Sequence, residues 1–261
     1  MPVVFLKLPD FSDRCELYSI YWTKCVICPL SEITIYYRIE IRIFYSILHG
    51  KEQTMLKTII FTIFGYLLGS LLFARYFSDL FCGRDVTADT PDRNPGAFNA
   101  YTYGGFWCGA LTLICDLLKG FLPVFLFVRF CGKGLGLAFV MAAPVLGHIF
   151  PIWHKFNGGK GIAVSFGSLL GLAPDLRPVL ILALTYLLCS FVFKVDPHFY
   201  RLILTYSIAF LSINLARPGY AVVLGCAAVF SAVLLKIISV RDTNDKMTIR
   251  AAWSGNGDHN K

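Results

Sequence analysis

Three glycines surround a lysine in "HKFNGGKGIAVSFG", residues 154–167, and the chain turns apolar again directly after them. Backbone N–H groups of neighbouring glycines, with a lysine among them, can cradle phosphate. The P-loop form of that chemistry requires Gly, four residues, then Gly-Lys-Ser/Thr. Here His154 stands at the first glycine's place and Gly161 follows Lys160. The loop therefore reads as an anion site built from Gly158, Gly159, Lys160 and Gly161, without specific support for nucleotide hydrolysis.

Two other stretches spend polar residues where their surroundings are apolar. "DVTADTPDRNPGAFNAYTYGG", residues 85–105, holds Arg93, Asn94 and Asn99 around a Pro95-Gly96 turn. Its prolines and glycines forbid a regular helix, and the amides can face an anion. The alternative is a solvated connector. "CDLLKGFLP", residues 115–123, places Asp116 three residues before Lys119, so on a helix the two share a face and can pair. Charges inside an apolar span turn toward the bundle interior and mark function by default, although a structural ion pair fits equally. Gly120 and Pro123 permit a kink beside them. His148, in "GHIFP", is a candidate base or a packing residue.

The elements that must position these groups are membrane helices. Apolar residues make up 56% of the 261 residues and charged residues 15%, with a mean hydropathy of +0.64. Soluble domains carry about a quarter charged residues. Seven long stretches with few or no charges run over 58–74, 105–128, 134–153, 161–174, 178–193, 202–216 and 218–235. They predict an all-α integral membrane protein of about seven transmembrane helices. Several stretches fall short of the roughly 20 residues a span needs, which suggests non-helical backbone lining a buried cavity.

Charge placement orients the bundle. If the first span runs inward, one side holds Arg75, Arg84, Arg93, Lys155, Lys160, Lys194, Arg201, Lys236, Arg241, Lys246, Arg250 and Lys261. The other side holds Arg129, Lys133, Arg177 and Arg217. This bias predicts a cytoplasmic Gly-Lys loop by the positive-inside rule. It also makes the formal charge of +8 a matter of topology rather than of nucleic-acid binding.

Residues 1–54 carry six basic and six acidic residues, no apolar period and no signal-peptide layout. Gly50-Lys51-Glu52, a short spacer and Met55 match what translation of an upstream ribosome-binding sequence would give, so Met55 is the expected start. The expected organisation is a leader over 1–54, a membrane domain over 55–240 and a flexible cytoplasmic tail over 241–261. Cys25 and Cys28 lie in the leader and are not expected to bind metal. The later cysteines read as small core hydrophobes.

In order and spacing, "GSLLFARYF" (69–77), "NPGAFNA" (94–100), "DLLKGFLPV" (116–124) and "GHIFPIWHKFNGGKGIAVSFG" (147–167) resemble the bacterial membrane acyl-phosphate:glycerol-3-phosphate acyltransferases. The resemblance covers roughly residues 55–171 and continues beyond them in general layout. It implies a seven-helix enzyme of the bacterial cell membrane, its active-site loops facing the cytoplasm. The enzyme would move a fatty acyl group from acyl phosphate to the 1-hydroxyl of glycerol 3-phosphate and form lysophosphatidic acid for phospholipid synthesis. It implies catalytic roles for Lys119, Asn94, Asn99 and His148, and substrate contacts for Arg93, Gly96, Asp116, Gly158, Gly159, Lys160 and Gly161. An acyl phosphate is already an activated anhydride, so neither a metal nor an organic cofactor is expected, and the partners are the two substrates and membrane lipid.

Against the family's Ser-Gly-Asn-x-Gly-Ala-Thr-Asn pattern, the serine, glycine and threonine places hold Asp92, Arg93 and Phe98, and a later arginine's place holds Thr102. The threonine usual after the Gly-Lys loop is Val164, and the residues after 235 do not align with the family's His, Asn and Glu motif. These departures predict a rearranged acceptor site. Two alternatives stay open: a paralogue with another acceptor, and a membrane transporter or lipid-binding protein using Asp116 and Lys119 as a relay.

Overall fold

A computed structural model of the chain describes residues 53–87, 90, 93–240 and 248–249. The expected leader with Cys25 and Cys28, Asp92 in the first polar loop, and nearly all of the expected tail lie outside the described residues.

The described chain is a helical bundle. Helix α1 covers 53–69 and breaks at 70–72 before α2, Phe73–Cys82. After the polar loop come α3, Ala97–Gly104, and α4, Phe106–Cys131. Helix α5, Gly136–Ile149, leads through a single 3-10 turn at Ile152–His154 into the Gly-Lys loop and α6, Ile162–Leu170. Helix α7, Arg177–Leu187, loosens into a π-turn at Leu188–Val192, followed by α8, His198–Leu215, and α9, Tyr220–Ser239. One short antiparallel pairing joins Val195–Asp196 to Thr248–Ile249.

All seven apolar stretches fall on helices, but they differ in length. Four helical segments are long and apolar enough to cross a membrane: Gln53–Cys82, Phe106–Cys131, Gly136–His154 and Tyr220–Ser239. Helix α6 has nine residues, about 14 Å at 1.5 Å per residue, or half a hydrocarbon core. It is short because the Gly-Lys loop occupies the length that a full span would have used.

The core is centred on α5, where Leu137, Val140, Met141, Val145 and Ile149 are all fully buried. The outer surface stays apolar as well: Trp107, Leu180, Leu184, Leu215 and Leu235 are at least 60% exposed. Lipid is as apolar as leucine, so hydrophobicity alone cannot bring these helices together. Close packing and internal hydrogen bonds must do it.

Small residues provide that packing. Helix α4 packs most extensively on α6, and α9 on α5. At the first contact a Cβ on Gly120 would strike the Val164 carbonyl, and one on Gly167 would strike the Leu117 carbonyl. At the α1–α5 contact Gly69 faces the Pro144 backbone and Gly147 the Tyr66 carbonyl. The glycine stripes at 65–69 and 167–171 thus serve contacts within the chain. Two buried hydroxyls of α6 bond across helices, which suits a lipid surrounding: Ser168 Oγ donates to the Met141 carbonyl at 2.9 Å, and Ser165 Oγ meets Tyr206 Oη at 2.6 Å, tying α6 to α8.

At the end of the bundle carrying the α6–α7 turn, Asp175 gathers three connections. Arg177 grips its carboxylate through Nε at 2.8 Å and Nη2 at 2.9 Å, and reaches the Ala216 carbonyl through Nη1 at 3.1 Å. Lys133 Nζ lies 3.8 Å away. The hydrogen bond from Arg177 is the main cause holding the Asp175 carboxyl below its ordinary range. The folded state therefore binds this proton less readily than the unfolded chain. The cluster's contribution is complete at neutral pH and is lost as pH falls through that lowered range.

Substituting Gly167 by alanine should cost roughly 1–3 kcal/mol, because backbone on both helices must move apart. In detergent, thermal unfolding should fall by several degrees. Gly134→Ala, where nothing lies within 4 Å of the added carbon, should leave it unchanged.

Candidate active site

The site begins with two loops that lock together although 66 residues separate them in sequence. Asn94 Oδ1 accepts the Lys160 backbone N–H at 3.1 Å. Asn99, on the first turn of α3, donates through Nδ2 to the Asn94 carbonyl at 3.0 Å and to Thr90 Oγ1 at 3.2 Å. Gly96 precedes α3 and bonds back to the Asn94 carbonyl at 2.8 Å, which makes the Pro95-Gly96 turn tight. The two asparagines are therefore the brace of the site, and Asn94 lies at its polar edge.

The Gly-Lys loop folds back along the end of α5. Gly158 N–H donates to the Ile149 carbonyl at 3.2 Å, and Gly159 N–H to the His148 carbonyl at 3.1 Å. A Cβ on Gly159 would collide with His148 Nε2 and press on Asn94 Oδ1. Gly161 takes φ +78°, a conformation that favours glycine, and starts α6. The Gly158 and Gly159 amides bond to carbonyls of α5, and glycine is required here because backbone approaches backbone and His148.

Lys119 lies beside the same loop, behind the cavity wall. Its side chain is 1% exposed. Nζ donates to the Leu71 carbonyl at 2.7 Å, contacts His148 Nδ1 at 2.8 Å and pairs with Asp116 Oδ1 at 2.8 Å. The ammonium is thus tied to the protein by two hydrogen bonds and one ion pair, and it does not line the cavity. With Lys119 as an ammonium, which only donates, Nδ1 of His148 is the acceptor, and the ring proton then belongs on Nε2, beside Gly159. Asp116 Oδ1 is close enough for the ion pair but not aligned for a hydrogen bond, and it remains an acceptor at the cavity wall.

These groups surround a cavity of about 1030 Å³. Asn94, Gly96, Asn99, Asp116, His148, Lys160 and Gly161 line it, while Lys119, Gly158 and Gly159 stand behind the wall. Arg93 is exposed at φ +45°, also off the wall, because its positive φ turns the loop outward just before Asn94. Leu113, Leu117, Ile162, Phe166 and Tyr186 give the same cavity an apolar lining.

Two wall residues escaped the sequence reading, His198 and Arg201. Arg201 was counted only as one more positive charge on the loop side. The available signal was their spacing of three directly after Pro197, which places both on one face of the first turn of α8.

The glycerol-3-phosphate acyltransferase family model matches residues 59–248, well past the last quoted motif. Among curated relatives, glycerol-3-phosphate acyltransferases from Albidiferax ferrireducens and Cupriavidus taiwanensis are 39% identical over 138 residues and 41% identical over 143 residues. These matches take in 51% and 53% of this chain, and 60% and 69% of the relatives. The chain thus spans about three fifths of the length of the first of them. A crystal structure of PlsY, an integral membrane glycerol 3-phosphate acyltransferase, in its glycerol 3-phosphate form superposes with a TM-score of 0.61 at 27% identity. It covers 70% of this chain and 88% of that one. The lysophosphatidic acid form gives 0.59 at 28% identity, over 69% and 87%. Motifs, helices and cavity share one explanation: the chain belongs to the glycerol-3-phosphate acyltransferase family of integral membrane proteins.

Proposed function

We propose that the protein transfers a fatty acyl group from acyl phosphate to the 1-hydroxyl of glycerol 3-phosphate, yielding lysophosphatidic acid and inorganic phosphate. One observation carries the reading: a single cavity is lined both by Lys160, His148 and Asn94 and by Leu113, Leu117, Phe166 and Tyr186. A lipid chain ending in a phosphate needs both surfaces at once. The relatives' names and the two PlsY crystal forms support the same pair of acceptor and product.

In this mechanism Lys160 anchors the phosphate of the acyl donor while the acyl chain lies along the apolar wall. The acceptor hydroxyl attacks the carbonyl carbon and negative charge develops on the carbonyl oxygen. The Nε2–H of His148 donates to that oxygen, held in place through Nδ1 by Lys119. The carbon–oxygen bond to phosphate then breaks. The departing phosphate is basic enough to take the hydroxyl proton, so no protein base is demanded. Holding the substrates together and shielding the anhydride from water supply most of the remaining rate.

The excess of Lys and Arg on the Gly-Lys loop side supports a cytoplasmic active site in a bacterial cell membrane. A second reading, a changed acceptor, is favoured by Thr102, which lines the cavity where the resemblance leads one to expect an arginine.

Full-length protein in detergent or liposomes should acylate labelled glycerol 3-phosphate from acyl phosphate. Lys160→Ala should lower kcat/KM by roughly 10²–10³, the usual cost of losing a charge-stabilising donor. No turnover with glycerol 3-phosphate, but turnover with other polyol phosphates, would establish the second reading.

Removing one partner of the buried ion pair should be far worse than removing both. Lys119→Met should cost about 3–5 kcal/mol by stranding Asp116. Adding Asp116→Asn should recover most of the thermal stability in detergent but not the activity, since His148 would still lack its donor.

A further inference from the structure

We infer that Arg201 binds the phosphate of the acceptor, glycerol 3-phosphate, and so sets acceptor affinity from the first turn of α8. The inference rests on the acyl-transfer reading above. Two phosphate-bearing substrates must share one cavity, and like charges keep their phosphates apart. The lysine and arginine side chains on the wall are those of Lys160 and Arg201, Lys119 being spent on Asp116, His148 and Leu71.

Connectivity decides which phosphate goes where. The carbonyl under attack has to lie beside the Nε2–H of His148, next to the Gly-Lys loop. In the donor the phosphate is bonded directly to that carbonyl, so it stays with Lys160. In the acceptor three carbons separate the attacking hydroxyl from the phosphate, which therefore reaches across the cavity.

Arg201 is built to receive it. Its Nε is shielded from solvent and makes no hydrogen bond. Its one carboxylate neighbour, Asp196, is 3.9 Å from Nη2 and 62% exposed, a loose contact that leaves most of the guanidinium donors uncommitted. A guanidinium fork fits two phosphate oxygens at once. His198, one turn earlier on the same face, adds an imidazole to that side of the cavity. Thr102, also lining the cavity, brings only a hydroxyl.

Two measurements test this. In the first, wild-type protein in liposomes is treated with phenylglyoxal, and arginine modification is mapped by mass spectrometry. Glycerol 3-phosphate should protect Arg201 and glycerol should not; modification unaffected by glycerol 3-phosphate would overturn the inference. This needs neither turnover nor a variant that folds. In the second, Arg201→Ala should raise the KM for glycerol 3-phosphate about tenfold or more while the KM for acyl phosphate stays within about twofold, and Arg201→Lys should fall between. An equal rise in both constants, a rise for acyl phosphate alone, or no change would also overturn it. Absence of acyl transfer by the wild type would instead count against the proposed reaction, while the protection experiment would still report on Arg201.

Discussion

A lysine charge buried inside a membrane bundle must find its partners within the protein, and Lys119 finds them on three separate segments. Asp116 lies one turn away on α4, His148 near the end of α5, and the Leu71 carbonyl in the break between α1 and α2. The break is what makes the third partner available. The Leu71 carbonyl lies past the end of α1 and accepts from Lys119 instead of from a helical N–H, and an ammonium there also complements the negative end of the helix dipole. Burying the pair costs desolvation energy that only full coordination offsets. The positions of α1, α4 and α5 are thereby fixed to one another, and the glycine contacts at 69, 120, 147 and 167 let the backbones come close enough for those bonds to form.

The same charge sets the chemistry one atom further away. By donating to Nδ1 it assigns the proton of His148 to Nε2, and the Gly-Lys loop closes over that nitrogen with Gly159. A lysine behind the cavity wall thus bears on the tautomer of a histidine that lines it. The loop differs in kind from a nucleotide cradle. Its Gly158 and Gly159 amides are consumed holding it against α5, so attraction for an anion falls to side chains, chiefly Lys160.

How much of this was written plainly in the sequence depended on whether the signal was local. Apolar runs gave the helices, and the spacing of three between Asp116 and Lys119 gave the ion pair. The identity of the third and fourth members of that cluster could not be read, because Leu71 contributes through its backbone and His148 through the crossing of α4 and α5. Glycine content announced that backbone would come close to something. Whether that something was phosphate or carbonyl depended on the path from 149 to 158. Helix α6 read as a span because an apolar run looks the same whether it crosses a membrane or stops halfway. Arg201 was hidden by its type: beside an apolar stretch, an arginine that marks topology and one that faces a cavity have the same local sequence.

The cavity's mixed lining explains why such chemistry belongs inside a bundle whose outer surface is greasy. Attack on a mixed anhydride must compete with water, and the donor's chain is itself insoluble. In the proposed reaction the apolar lining from α4, α6 and α7 would let the chain remain in surroundings like those it came from, and the polar lining, with Asn94, Lys160 and Arg201, would meet the phosphates. The charges at the cavity and the charge that holds the bundle are kept apart: Lys160 and Arg201 line the cavity, whereas Lys119 is buried against Asp116, His148 and the Leu71 carbonyl. A membrane enzyme needs that separation, because a lysine that left its buried partners to reach a substrate would unpair the carboxylate and the histidine on which the site is built.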